Sequence, residues 1–154
     1  MMETKTYSGF EFSLISKAEY ISVFYNRQLE LAFCVAEVEY IPIENFKAFF
    51  ASVSGLMETF PMRHLLFDKR NLRTFHQPSM EWYFAVWKPS MKAKGLVNHY
   101  KILPDLEWFA QAVNAGKHEI FKKYTKDILN GIRIFYVDSV ESAIEQSQTI
   151  NAEQ

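Results

Sequence analysis

Residues 29–38 alternate in character. Leu29, Leu31, Phe33 and Val35 fall on one side, Glu30, Ala32, Cys34 and Ala36 on the other. A period of two marks a β-strand with unlike faces. Two similar runs, 9–15 and 19–25, precede it. The polar breaks Ser16-Lys17 and Asn26-Arg27 between them suit hairpin turns. The period then changes. Phe46, Phe49, Phe50, Val53, Leu56, Met57 and Phe60 recur at steps of three and four, the spacing of one helix face. Pro42 suits the first turn of that helix and Pro61 ends it. The apolar run 64–67 predicts a buried strand closing at Asp68, followed by a polar loop to Pro78. Ser79 is the expected N-cap of a second helix, with Glu81 in its first turn. Met80, Phe84, Trp87 and Met91 fit one face, and Pro89 should end or bend the helix near Trp87. A strand at 96–103 follows Gly95. A third helix is capped by Asp105 and carries Leu106, Phe109, Ala110 and Val113, with a weak point at Gly116. A strand at 132–137 leads to a last helix opened by Asp138 and Glu141 as a capping box.

The predicted order is therefore β-β-β-α-β-α-β-α-β-α: an α/β fold with a sheet that is parallel in part and covered by helices. No repeat, linker or composition shift divides the chain. Residues 9–148 read as one domain, 1–8 as an N-terminal tail and 149–154 as a frayed C-terminus.

Composition narrows the classes. Of 154 residues, 17 are Lys or Arg and 18 Asp or Glu, so there is no basic excess of the kind that phosphate neutralisation demands, and nucleic acid is not an expected partner. No apolar run reaches the ~18 residues of a membrane span, and residues 1–9 lack the apolar core of a secretory signal. The single thiol, Cys34, sits in an apolar run and reads as a small core residue. Together these features point to a cytoplasmic protein. Aromatic residues make up 16%, enough to fill a core and to line a cavity or a self-association face.

Chemistry-bearing motifs are sparse. The five glycines stand alone, so neither a dinucleotide loop nor a P-loop can be built. There is no Gly-x-Ser-x-Gly elbow. His64, His76, His99 and His118 are far apart; no metal and no cofactor are expected. The best catalytic-looking constellation is Asp68, Arg70 and His76, beginning at the end of a strand where α/β proteins place ligand crevices. It reads either as an anion-binding or acid–base group or as a loop cap, its ion-pair partner and a solvated imidazole. The second feature is the helix carrying Trp82, Tyr83, Trp87 and Met91. Its apolar residues exceed one sheet-facing stripe, so core, a small apolar ligand, a protein partner or a second copy of the chain should cover them.

The passage LLFDKRNLRTFHQPSMEWYFAVWKPSMKAKG resembles the corresponding stretch of SpoIIAA-like proteins, related to STAS domains and less closely to SEC14-like lipid-binding domains. The matching positions are Asp68 at the strand end, Arg70 two residues on, Trp82 or Trp87 in the helix, and Gly95 before the next strand. The resemblance implies a STAS-like fold over residues 9–148 and a non-enzymatic module for partner binding, nucleotide or small-ligand sensing, or apolar ligand binding; the aromatic helix separately points to a homodimer. It departs from the phosphorylated antagonists of the group, whose Asp-Ser pair is replaced here by Asp68-Lys69. The alternative is a small enzyme or anion-binding protein using Asp68, Arg70 and His76.

Overall fold

Hairpins build the first half of the sheet. In the computed structural model, which describes residues 3–153, β1 (Thr4–Tyr7), β2 (Phe10–Lys17), β3 (Ile21–Asn26) and β4 (Leu31–Ala36) form an antiparallel meander. The β1–β2 turn is Ser8-Gly9, with φ of 52° and 82°. Two successive positive φ values give the turn whose twist matches flanking antiparallel strands, and Gly accepts such angles without strain.

From β4 onward the pairing is parallel. Helix α1 (Ile43–Leu56) leads to β5 (His64–Asp68). Helices α2 (Gln77–Trp82) and α3 (Lys88–Lys92), joined by a π turn at Tyr83–Trp87, lead to β6 (Asn98–Ile102). Helix α4 (Glu107–Lys123) and a 3₁₀ turn (Lys126–Leu129) lead to β7 (Arg133–Tyr136), and α5 (Val140–Ala152) follows. The seven strands lie side by side in chain order. Successive crossovers step the same way across the sheet, so their common hand stacks the crossover helices on one face. That face buries Phe46, Phe50 and Val53 of α1, Tyr83 and Trp87 of the π turn, and Phe109 of α4 against Val23, Cys34, Leu65 and Phe67. The opposite face holds α5, with Val140 and Ile144 packed over Phe33, Leu66 and Tyr100. His64 pins α5: its Nδ1 is 2.9 Å from the Tyr100 hydroxyl and its Nε2 is 2.8 Å from Asn151 Oδ1.

The fold is thus α/β with a mixed seven-stranded sheet, as the alternating periods predict. The differences are local. Residues 4–7, read as part of a tail, form edge strand β1. Their polar side chains leave no apolar alternation to read, and the strand is recruited by its turn. Helix α5 runs to Ala152, past the expected fraying at 149, because Ile150 is buried and Asn151 is held by His64 and the Leu29 carbonyl. The α2 cap is His76, not Ser79: His76 Nδ1 accepts from the Ser79 N–H at 3.3 Å. Ser139, not Asp138, caps α5 by accepting the Ser142 N–H, and Leu106 rather than Asp105 precedes α4. Helix α4 passes through Gly116 unbroken. A Cβ there would lie 2.5 Å from Gln77 Oε1 and 2.8 Å from Phe75 Cζ, so the glycine serves a close approach of α2 to α4. Among the described residues no helix is long and apolar enough to cross a membrane.

Candidate functional site

Strand β6 carries an anomaly. A parallel strand covered on both faces should be apolar on both. Tyr100 and Ile102 do face α5, but the alternate positions, facing the crossover helices, are His99 and Lys101, which are 1% and 2% exposed. Opposite them stands Lys88, the first residue of α3, fully buried. Lys69, the residue after β5, completes the group.

The Lys101 side chain is in contact with those of both Lys69 and Lys88. The amines lie over ring faces. Lys88 Nζ is 4.0 Å from the centroid of Phe84, Lys101 Nζ 4.2 Å from the same ring, and Lys69 Nζ 5.0 Å from Phe67. Cation–π attraction returns up to about 2 kcal/mol each when desolvated, far less than the cost of removing an ammonium ion from water. No carboxylate compensates the rest. Among the described residues no acidic group lies within ion-pair distance of these lysines. Lys88 Nζ and both ring nitrogens of His99 have no hydrogen-bond partner.

The titration behaviour follows from this. Burial pulls the Lys69 amine down to about 8. Burial, then the charge of Lys69, holds Lys88 and Lys101 well below the ordinary lysine value, and the partly buried Lys117 adds to the repulsion. His99 is held neutral by burial and by the charges of Lys88 and Lys101.

The π turn assembles the group. Pro89 has no N–H, and its ring would strike the carbonyl of Ala85 in a regular helix. Pro89 neither ends nor sharply breaks the helix. One turn widens, with the Lys88 N–H bonded to the Tyr83 carbonyl five residues back. π turns of this kind recur at functional sites. Here the turn brings Tyr83, Phe84, Trp87 and Lys88 to the sheet together, Tyr83 stacked on Trp87 at 5.2 Å and Trp87 Nε1 donating to the Phe50 carbonyl at 2.8 Å.

Two cavities adjoin the cluster. One, about 60 Å³, lies under the loop after β5 and is lined by Lys69, His76, Ser79 and the apolar Phe46, Phe67 and Phe109 among others. The second is an open cleft of about 800 Å³ at the ends of β6 and β7, bordered by Arg70, Lys101, Tyr136 and Asp138.

The constellation expected from sequence divides. Asp68 and Arg70 form a bidentate pair, 3.0 Å and 2.7 Å, and Asp68 Oδ1 also accepts the Arg70 backbone N–H. Their charges, with that of Glu141, act on Tyr7 on the α5 side. His76 instead bonds Ser79, Nδ1 to Oγ 2.8 Å, on the other side of the sheet. Because Nδ1 accepts the Ser79 N–H, the serine hydroxyl also donates to it. Of the aromatic helix residues, Tyr83, Trp87 and Met91 are core, covered by the chain itself, and Trp82 is half-buried against Phe46. The π turn thus places the first three in the chain's own core.

Lys88 and Lys101 were not singled out by sequence, and Lys69 and His99 were not brought together with them. The available signal was the polar alternation in the NHYKI run, two basic residues on one side of a strand central enough to be covered on both. Among the described residues no cluster of His, Cys, Asp and Glu could hold a metal ion, and three lysines repel a cation. No family model matches the chain, and no curated protein or solved structure is significantly similar to it.

Proposed function

We propose that the protein is a binding module for a small organic anion, whose acidic group is received by the lysine cluster at the ends of β5 and β6. One observation carries the reading: two fully buried lysines, a half-buried third and a buried imidazole are gathered with no acidic partner. An uncompensated buried charge costs several kcal/mol, and an anion of the right size removes that cost. The location supports it, since open α/β sheets bind ligands outside the carboxyl ends of their parallel strands. Size narrows the class. A cavity of about 60 Å³ takes only a small ligand. A short carboxylic acid or a phosphate group fits; the apolar lining favours the carboxylic acid. Assignment to the STAS-like group is part of the same proposal. An antiparallel meander running into βα units, with Asp68 and Arg70 at a strand end, supports it, and a non-enzymatic ligand-binding role accords with it.

The test is a thermal melt of the protein at low ionic strength against acetate, pyruvate, 2-oxobutyrate and inorganic phosphate, with methylammonium chloride as control. A ligand at 100 times its Kd contributes about 2.7 kcal/mol, or a rise of roughly 5–10 °C for a chain of this length. If no anion raises the melting temperature above the control, the reading fails.

A further inference from the structure

Resting on the reading of the cluster as a seat for negative charge, we infer that Lys101 is a carbon dioxide site: its amine adds to CO2 to give a carbamate, which Lys88, His99 and Lys69 hold as the anion the cluster lacks. Orphaned polar atoms carry the inference. Lys88 Nζ and both ring nitrogens of His99 are buried without a hydrogen-bond partner, and such groups are rare enough in folded proteins to require an explanation. Both residues belong beside Lys101. The Lys88 and Lys101 amines lie over one ring, that of Phe84, at 4.0 Å and 4.2 Å. His99 is the preceding residue on the same face of β6, and its ring feels the charges of both lysines. An ammonium group has three donors and no lone pair, so amines packed together without an acid give up protons. Burial, then the charge of Lys69, acts in that direction on Lys88 and Lys101 alike. The free base is the form of a lysine that attacks carbon. Of the two, Lys101 borders the open cleft at the ends of β6 and β7, whereas Lys88 is sealed in the core. Carbon dioxide, small and apolar, reaches Lys101 by that route.

The step balances within the cluster. The Lys101 lone pair forms a C–N bond to the carbon of CO2 while one C=O π pair moves onto oxygen. The nitrogen gives up a proton, which the neighbouring free amine of Lys88 takes. Two amines and one CO2 become a carbamate and an ammonium ion, and no net charge enters the core. A buried pair of this kind holds where hydrogen bonds satisfy its remaining atoms. A carbamate has two acceptor oxygens, as a carboxylate does. The Lys88 ammonium and the one N–H of neutral His99 are the donors for them, and Lys69, whose side chain contacts Lys101, adds a second cation. One carbamate thereby gives Lys88 and His99 the partner each lacks.

The experiment is chemical trapping. The protein is equilibrated with isotopically labelled bicarbonate and treated with triethyloxonium tetrafluoroborate, which esterifies a carbamate and fixes it, then analysed by intact mass and peptide mapping. One labelled ethyl carbamate per chain is expected, on Lys101, at an occupancy at least about tenfold above that of the exposed and almost wholly protonated Lys122. K101M removes the nucleophile and should lose the label; should K101M fail to fold, the wild-type peptide map decides by itself. Label spread over surface lysines, placed on Lys69 or Lys88, or absent altogether overturns the inference. Stabilisation by pyruvate or phosphate with no label overturns it too while leaving anion binding standing. Label on Lys101 without such stabilisation upholds the carbamate and removes the organic anion. Neither stabilisation nor label removes both readings.

Discussion

At the scale of single residues, Lys88 is the position where stability and function pull apart. Its amine is fully buried with no hydrogen-bond partner. Replacing buried charge by an apolar side chain of similar volume is commonly stabilising by about 1–4 kcal/mol. K88M should therefore raise the melting temperature of the ligand-free protein by several degrees and abolish the anion response. Melts with and without pyruvate or phosphate check both halves; a less stable K88M would mean that the amine has a partner in solution. Phe50 is the apolar counterpart. It is fully buried and touches the rings of Phe46, Phe49, Phe67, Tyr83 and Trp87. F50A should cost about 3–5 kcal/mol, read by urea denaturation, and a loss below about 1 kcal/mol would contradict this packing. What sequence showed at this scale was uneven. Phe46, Phe49 and Val53 announce their burial by spacing. Lys88 does not, because a lysine flanked by Trp87 and Pro89 reads as the solvated end of a helix unless the π turn is known.

At the scale of elements, two joints shape the site. In the first, Pro89 forces the i to i+5 turn. P89A restores the N–H and removes the ring, so the segment can rewind as a regular helix, turning Lys88 relative to Lys101. Stability should change by less than about 1 kcal/mol, the new hydrogen bond offsetting the disturbed packing, while the anion-induced rise in melting temperature falls. A P89A variant that responds to anions like the parent would show that the π turn does not set the site. The second joint is Gly116. Alanine there gains about 1 kcal/mol of helix propensity but meets Gln77, Phe75 and Met80 at 2.5–2.9 Å. Repacking of that kind typically costs about 1–3 kcal/mol. G116A should thus be neutral to destabilising in a melt and should weaken anion binding, since Phe75 and Met80 line the cavity. In the sequence these joints read as punctuation, Pro89 as an end or a bend and Gly116 as a weak point. Their effect depends on what packs opposite, which no local pattern encodes. The strands and α1 were legible because period and burial coincide there. β1 was not, because its polar residues owe their pairing to a turn.

At the scale of the whole molecule, the buried lysines link stability to pH with a definite sign. Lys69, Lys88 and Lys101 have folded-state values below the ordinary lysine value. Between the folded and unfolded values the unfolded chain binds more protons, so stability of the ligand-free protein rises with pH. Lys69, at about 8, supplies roughly 1 kcal/mol of that rise between about pH 7 and pH 9. Lys88 and Lys101 begin theirs at lower pH. The opposite sign takes over higher up. Burial raises the values of Cys34, Tyr83 and Tyr100, so these groups stabilise the fold at low pH and that contribution is lost once the unfolded thiol and phenols ionise, near pH 9–10. The ligand-free protein should therefore be most stable near pH 9, unlike the many proteins whose optimum lies between ~5 and 8. Urea midpoints across this range check it, and K101M should flatten the ascending limb. A bound anion reverses the slope. It holds the amines protonated, so its own binding must release them as pH rises, and its affinity should fall above about pH 8 while the bare fold is gaining stability. If affinity and ligand-free stability rise together with pH, the lysines are not the anion's receptors.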